Sequence, residues 1–284
     1  MKITFWGTRG SLPSAGPETQ YFGGNTPCLE VRSGEHLLVL DAGSGIRRLG
    51  MNLPRDLARV DLLLTHLHMD HIQGLGFFQP IFNPATQVHI YGPASRLSSL
   101  NARLNRYLSP PLFPVPIREL PSQLHFHEVP SGSLQIGPFR IRSEYVTHPG
   151  PTVGYRIEVG KASLAYIPDH EPAMRNGELP CSGNWTSGYN LAHKADLLVH
   201  DAQFYEQEYS SRVGWGHSTI QHALEFARLT EVGRLSLFHH DPSHPDEELD
   251  QSLHDAVRDK SYSFAFSLAR EGETIELPGG HENS

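Results

Sequence analysis

Short apolar runs broken by polar turns recur along the whole chain, and most are too short to be anything but strands. Such runs cover residues 2–6, 28–32, 36–40, 60–64 and 88–91. Leu97, Leu100, Leu104 and Leu108 return instead at helical spacing and predict a helix over 96–108, while 44–51 and 70–78 read as two further helices. Pro110, Pro111, Pro114 and Pro116 turn 109–116 into a stiffened loop that cannot be helical. The second half follows the same logic. Strands are expected over 124–129, 139–146, 153–159, 163–167, 195–199 and 234–238, and helices over 220–229, capped by Ser218 or Thr219, and 247–260. That order fits two sheets packed face to face with helices outside, an αββα sandwich, although other α/β arrangements share the periodicity. No Ser/Gly linker, repeat or low-complexity tract divides the chain. The expected organisation is one domain over 1–284 with an inserted helix and Pro-rich loop at about 92–123.

One turn stands apart from this pattern. After the apolar run 60–64 comes Thr65-His66-Leu67-His68-Met69-Asp70-His71, which sets three imidazoles and a carboxylate within six residues. Alternation along an extended segment puts His66 and His68 on one side, where two nitrogens can converge on one ion. Asp70 and His71 fall at the start of the next helix, within reach of a second ion. Imidazole and carboxylate without thiolate suit zinc, manganese or iron. Further donors follow later strands: His148 after 139–146, Asp169 after 163–167, where its carboxylate could bridge two ions, and His239 with His240 after 234–238. Strand ends are where such folds gather functional residues.

Composition sharpens this picture in a few places. The 18 histidines are the outlier and several are clustered, which points to metal chemistry. Cys28 and Cys181 lie far apart and in no metal-binding spacing; two cysteines exclude a disulfide framework and read as cytosolic thiols. The first residues enter a strand pattern with no signal peptide, and nowhere are there eighteen consecutive apolar residues, so a cytoplasmic protein without a membrane span is expected. A formal net charge of -8 argues against a broad nucleic-acid-binding face.

The series His66-x-His68-x-Asp70-His71, His148, Asp169 and His239, with the early turn Leu40-Asp41-Ala42-Gly43, resembles the metallo-β-lactamase superfamily over nearly the whole chain. The resemblance implies that His66, His68 and His148 hold a first divalent ion. Asp70, His71 and His239 would hold a second, Asp169 would bridge the two, and Asp70 would count with the catalytic residues. Zinc is the expected metal, with manganese admissible. A ligand set without cysteine looks like the branch that includes phosphodiesterases. Gly214-Trp215-Gly216-His217-Ser218-Thr219 resembles an element of transfer-RNA 3′-processing endonucleases and their phosphodiesterase relatives, in which the histidine donates a proton. An acid orients that histidine, and His200-Asp201-Ala202-Gln203 would supply Asp201, a shorter carboxylate than the family's glutamate.

The segments Phe5-Trp6-Gly7-Thr8-Arg9-Gly10-Ser11, Tyr21-Phe22-Gly23-Gly24-Asn25-Thr26 and His239-His240-Asp241-Pro242 look like one subgroup, similar to enzymes that open cyclic nucleotides, anti-Pycsar proteins among them. That likeness implies a 3′,5′-cyclic nucleotide as substrate, a 5′-monophosphate as product and a homodimer. Asn25, Thr26 and His240 are the candidate substrate contacts, and Phe77, Phe78 and Phe113 are aromatics able to stack a base or fill the core. The expected partner is therefore a small phosphodiester, with no extended nucleic acid and no membrane. One rival is a transfer-RNA 3′-processing endonuclease, against which stand the net charge and the shortness of segment 92–123. The other is a metal-binding sensor that catalyses nothing, against which stand His217 and Asp201.

Overall fold

The computed structural model describes residues 1–172 and 185–278, so Cys181 lies outside the described residues. Strands β1 (Lys2–Gly7), β2 (Cys28–Ser33), β3 (His36–Leu40), β4 (Arg59–Leu63), β5 (Gln87–Pro93) and β6 (Gln123–Val129) lie side by side in chain order. Strands β7 (Gly132–Ile136), β8 (Phe139–Tyr145), β9 (Val153–Val159), β10 (Ala162–Ile167), β11 (Leu197–Asp201), β12 (Arg234–Phe238) and β13 (Ala265–Leu268) do the same in a second sheet. Strand β14 (Thr274–Glu276) returns to β1 and closes the first sheet at seven strands. In each sheet one half is antiparallel and the other parallel: β3 to β6 in the first, β10 to β13 in the second.

Period-two alternation explains how such apolar strands are buried on both faces. Leu38, Leu40 and Leu63 face Ile157, Leu164, Val199 and Phe238 between the sheets. Their neighbours Val39 and Leu62 point outward, onto Ile46 and Leu49 of α1 (Gly45–Asn52) and onto Ile72, Leu75 and Phe78. On the far side, beyond the short helices α4 (Tyr189–Ala192) and α5 (Glu206–Tyr209) in chain order, Leu198 and Leu235 meet Ala223, Leu224 and Ala227 of α6 (Ile220–Leu229) and Leu249 of α7 (Asp246–Val257). Three apolar layers between four structural ones make the expected αββα sandwich.

Two helices are shorter than their periodicity predicts. Segment 70–78 becomes α2 (Met69–Ile72) followed by a 3-10 turn at Leu75–Phe77, with Gly74 and Gly76 in the interval. Segment 96–108 helical spacing yields only α3 (Leu100–Asn105), because the Ser99 side chain accepts from the Ala102 N–H at 3.2 Å and caps the helix there. Leu97 is left 96% exposed before the cap. Leu104, Leu108, Phe113 and Ile117 still bury against the first sheet's outer layer, and the Tyr107 hydroxyl donates to the Gln73 carbonyl at 2.6 Å. For α6 the cap is Thr219, whose Oγ1 accepts from the His222 N–H. The edge strands β7, β13 and β14 have no clear sequence pattern. They are short, and their strand character comes from a neighbour that pairs with them.

Candidate metal centre

The ends of β3, β4, β8, β10, β11 and β12 deliver Asp41, His66 to His71, His148, Asp169, Asp201 and His239 to one rim of the sandwich. Ligand atoms of His66, His68 and His148 lie within 4.8 Å of one another, as do those of Asp70, His71, Asp169 and His239. Asp169 touches both groups. Its Oδ1 is 3.8 Å from Nε2 of His66 and of His148 and 3.3 Å from Nε2 of His239, and its Oδ2 is 3.0 Å from Nε2 of His71. Asp70 Oδ2 is 3.1 Å from His239 Nε2 and accepts the Ser11 N–H at 2.8 Å.

Four of the five imidazoles are held from behind through Nδ1, while His68 turns its own Nδ1 toward His148 Nε2 at 3.1 Å. His71 donates to Asp41 Oδ2 at 2.8 Å, His148 to the Gly216 carbonyl at 2.8 Å and His239 to Gln203 Oε1 at 3.1 Å, while His66 Nδ1 is 3.1 Å from Thr65 Oγ1. Their Nε2 atoms therefore face the middle of the group, as metal-ligating histidines require. Asp41 in turn accepts from the Thr65 N–H and the Tyr166 hydroxyl. Gly10 presses on the His239 ring so closely that a Cβ there would lie 2.4 Å from Nδ1. His239 itself sits at φ 63°, a left-handed conformation that aims it into the rim.

The donors fit divalent cations. His66 Nε2 is buried without a hydrogen-bond partner, and His71 Nε2 and Asp169 Oδ2 have only each other, 3.0 Å apart and poorly aligned, a costly state that an ion would relieve. Burial opposes charge on His71 and His239, but Asp169 and Asp70 outweigh it, raising His71 well above its usual range and His239 to about 9. Burial pushes His66 well below. Asp169 is held low against burial by His239, His71 and His66. Asp70 and Asp169 thus favour positive charge at this rim.

Beside this group, Asp201 Oδ2 accepts the Nδ1–H of His217 at 2.6 Å, and Asp201 Oδ1 accepts the Ser218 N–H at 3.0 Å. The His217 ring stacks on His239 at 5.1 Å, with its Nδ1 3.9 Å from Asp169 Oδ1. Asp201 is fully buried, whereas the His217 side chain keeps 13% exposure, enough for a substrate to reach it.

Three expected substrate contacts have partners within the chain. Thr26 is fully buried, and its Oγ1 accepts from the Ser44 N–H and Gln73 Nε2, both at 2.8 Å. Asn25 spends both ends of its amide on Glu271 and Ser44. His240 is fully buried and donates through Nε2 to the Ala269 carbonyl at 3.0 Å, behind the rim. Phe78 and Phe113 belong to the core, and Phe77 alone of the three is exposed. Sequence reasoning gave no role to Thr65, Glu171 or Gln203. Gln203 was visible in His200-Asp201-Ala202-Gln203, two residues past Asp201, but side-chain spacing says nothing about which histidine it supports.

The family model described as Beta-lactamase superfamily domain matches residues 36–240. Ribonuclease Z of Thermoplasma acidophilum is 29% identical over 282 residues, covering 85% of this chain and 87% of that protein. Ribonuclease Z of Methanopyrus kandleri is 30% identical over 266 residues, covering 84% and 86%. Among solved structures, human tRNase Z, short form, superposes with a TM-score of 0.69 at 22% identity, covering 98% of this chain and all of that one. The chain belongs to the beta-lactamase superfamily, in the metallo-β-lactamase-fold phosphodiesterase family.

The ribonuclease Z relatives overturn one expectation, that the partner is a small phosphodiester and no extended nucleic acid. Net charge misled because it is a sum over the chain: the total of -8 includes Asp41, Asp70, Asp169 and Asp201, buried around the rim, and a sum does not locate charge on the face that meets an RNA. Among the described residues no helix is long and apolar enough to cross a membrane.

Proposed function

We propose that the chain is a metal-dependent endoribonuclease of the ribonuclease Z kind, cutting an RNA phosphodiester next to the rim. His66, His68 and His148 would hold one divalent ion and Asp70, His71 and His239 a second, with Asp169 shared; zinc or manganese suits these donors. Such ions supply the positive charge that draws in a phosphate and makes water a nucleophile at neutral pH.

The chain's own residues account for the remaining steps. Asp41, Gln203 and the Gly216 carbonyl keep the Nε2 atoms pointing inward, so that the donors are arranged before an ion arrives. The observation that carries the reading is the pair Asp201–His217. With Nδ1–H committed to Asp201, the proton on His217 Nε2 is the one free to pass to the departing ribose oxygen as its bond to phosphorus breaks. A site that only bound metal would have no use for an oriented, partly exposed imidazole beside the cluster.

A transfer-RNA precursor with a 3′ trailer, assayed with zinc or manganese beside a panel of 3′,5′-cyclic nucleotides, tests the proposal. Cleavage of the precursor at one position is the expected result. An intact precursor with rapid opening of a cyclic nucleotide would replace this reading with the small-substrate one.

A further inference from the structure

Glu171 lies two residues past Asp169 in the loop after β10, and its side chain is buried. Among the described residues it forms no ion pair. Its carboxylate is met instead by three donors: Oε1 accepts the Tyr209 hydroxyl at 2.7 Å and the Gly214 N–H at 2.8 Å, and Oε2 accepts the Gly216 N–H at 2.8 Å. Its backbone N–H donates to the Thr147 carbonyl at 3.0 Å. A buried carboxylate is expensive, and hydrophobic packing has no need of one.

The donors lead directly to the rim. Gly216, held through its N–H, uses its carbonyl to accept the Nδ1–H of His148. The contact leaves no room for a side chain: a Cβ on Gly216 would lie 2.3 Å from Pro149 Cδ and 2.5 Å from His148 Nδ1, and its φ of 89° is left-handed. The next residue is His217. The strap 214–217 is therefore fastened at one end by Glu171 and at the other by Asp201, with one imidazole on each side of Gly216.

We propose that Glu171 is a positioning residue that sets two imidazoles through one strap: His148, which would hold an ion, and His217, which protonates the leaving group. The proposal rests on the proton-donor role given above to His217. Its effect should depend on how much the leaving group needs a proton. Glu171→Gln keeps the size of the side chain but turns one acceptor into a donor facing another N–H or O–H.

The experiment compares wild type, Glu171→Gln and Glu171→Asp on p-nitrophenyl and phenyl esters of thymidine 5′-phosphate. The first ester releases a stable anion; the second needs more help. In Glu171→Gln, turnover of the phenyl ester is expected to fall about 10- to 100-fold, and that of the p-nitrophenyl ester less than about 3-fold. Zinc affinity, read by chelator competition, should weaken about 10-fold through His148. Glu171→Asp should fall between, and it serves as the readable variant if Glu171→Gln does not fold. Equal losses on both esters with unchanged zinc affinity, or no loss at all, would overturn the proposal. No RNA enters this test, so failure of the RNA reading shows separately, as a wild-type enzyme that leaves the precursor intact.

Discussion

The two sheets share one plan, yet they furnish the rim in opposite ways. Each runs from antiparallel strands into four parallel ones. The first sheet contributes His66, His68, Asp70 and His71 from one turn after β4, with Asp41 of the neighbouring strand end fastening His71. The second contributes His148, Asp169, Asp201 and His239 from four separate strand ends, and His217 from a loop before α6. A turn brings its donors together by local geometry alone. Separate strand ends can do so only once the sheet has formed, because parallel register aligns residues distant in sequence. Similar architecture has thus been put to different work: clustered donors on one side, and on the other a carboxylate that touches both donor groups and the Asp201–His217 pair.

The strongest way to break the contrast is at the residue where the halves meet. Asp169→Asn removes the carboxylate that touches both groups, and turnover should drop by about 10⁴-fold or more, with bound metal per chain, by elemental analysis, well below wild type. Normal metal content and rate would mean the halves do not share an ion site through Asp169. His217→Ala touches only the second half's imidazole beside Asp201, the proposed proton donor. Turnover on RNA should fall about 10²–10⁴-fold while metal content stays at the wild-type level; an unchanged rate would remove His217 from the reaction.

Asp41→Asn tests the first half's support. It weakens the partner of His71 Nδ1 without touching the second sheet's strand ends, so zinc affinity should fall about 10- to 100-fold in a chelator titration. An affinity equal to wild type would show that the turn holds its shape unaided.

The smallest effect concerns buried histidines behind the rim. Burial pushes His200 down to about 4 and His240 down to about 3. Between about pH 6.5 and 4 the unfolded chain binds a proton at each position and the folded chain does not, so stability is lost as pH drops, by about 1.4 kcal/mol per pH unit for each group. His71 and His239 are raised, bind protons in both states over this range and leave that slope unchanged; their contribution is lost instead as pH rises through their folded pKa. His240→Gln keeps a donor for the Ala269 carbonyl, so urea unfolding of the metal-free protein at pH 7, 6 and 5 should show a slope shallower by about one proton. An unaltered slope would mean that His240 is protonated in the folded state.

These environments explain how much of the site could be read from residues alone. The turn after β4 was legible because its donors are contiguous and its spacing fits an extended segment leading into a helix. His148, Asp169 and His239 could be suspected at strand ends, but adjacent His239 and His240 could not be told apart. The structure separates them by the left-handed backbone of His239, which aims one ring into the rim, while its neighbour's ring turns toward Ala269. Asn25 and Thr26 were ambiguous for a similar reason: polar side chains in a glycine-rich loop suit a ligand and suit the loop's own structure equally well. Here the loop uses them, through Ser44, Gln73 and Glu271.

By itself the sequence determined the alternation of strands and helices, the burial of both sheet faces and the composition of the donor set, since each depends on residues near one another in the chain. Only the tertiary structure decided which donors meet. It also decided that Asp169 lies between two groups, that Asp201 faces His217, and that Glu171 reaches the strap beside His148. Those contacts join segments tens to hundreds of residues apart, and strand register, which no local pattern encodes, sets which strand ends become neighbours.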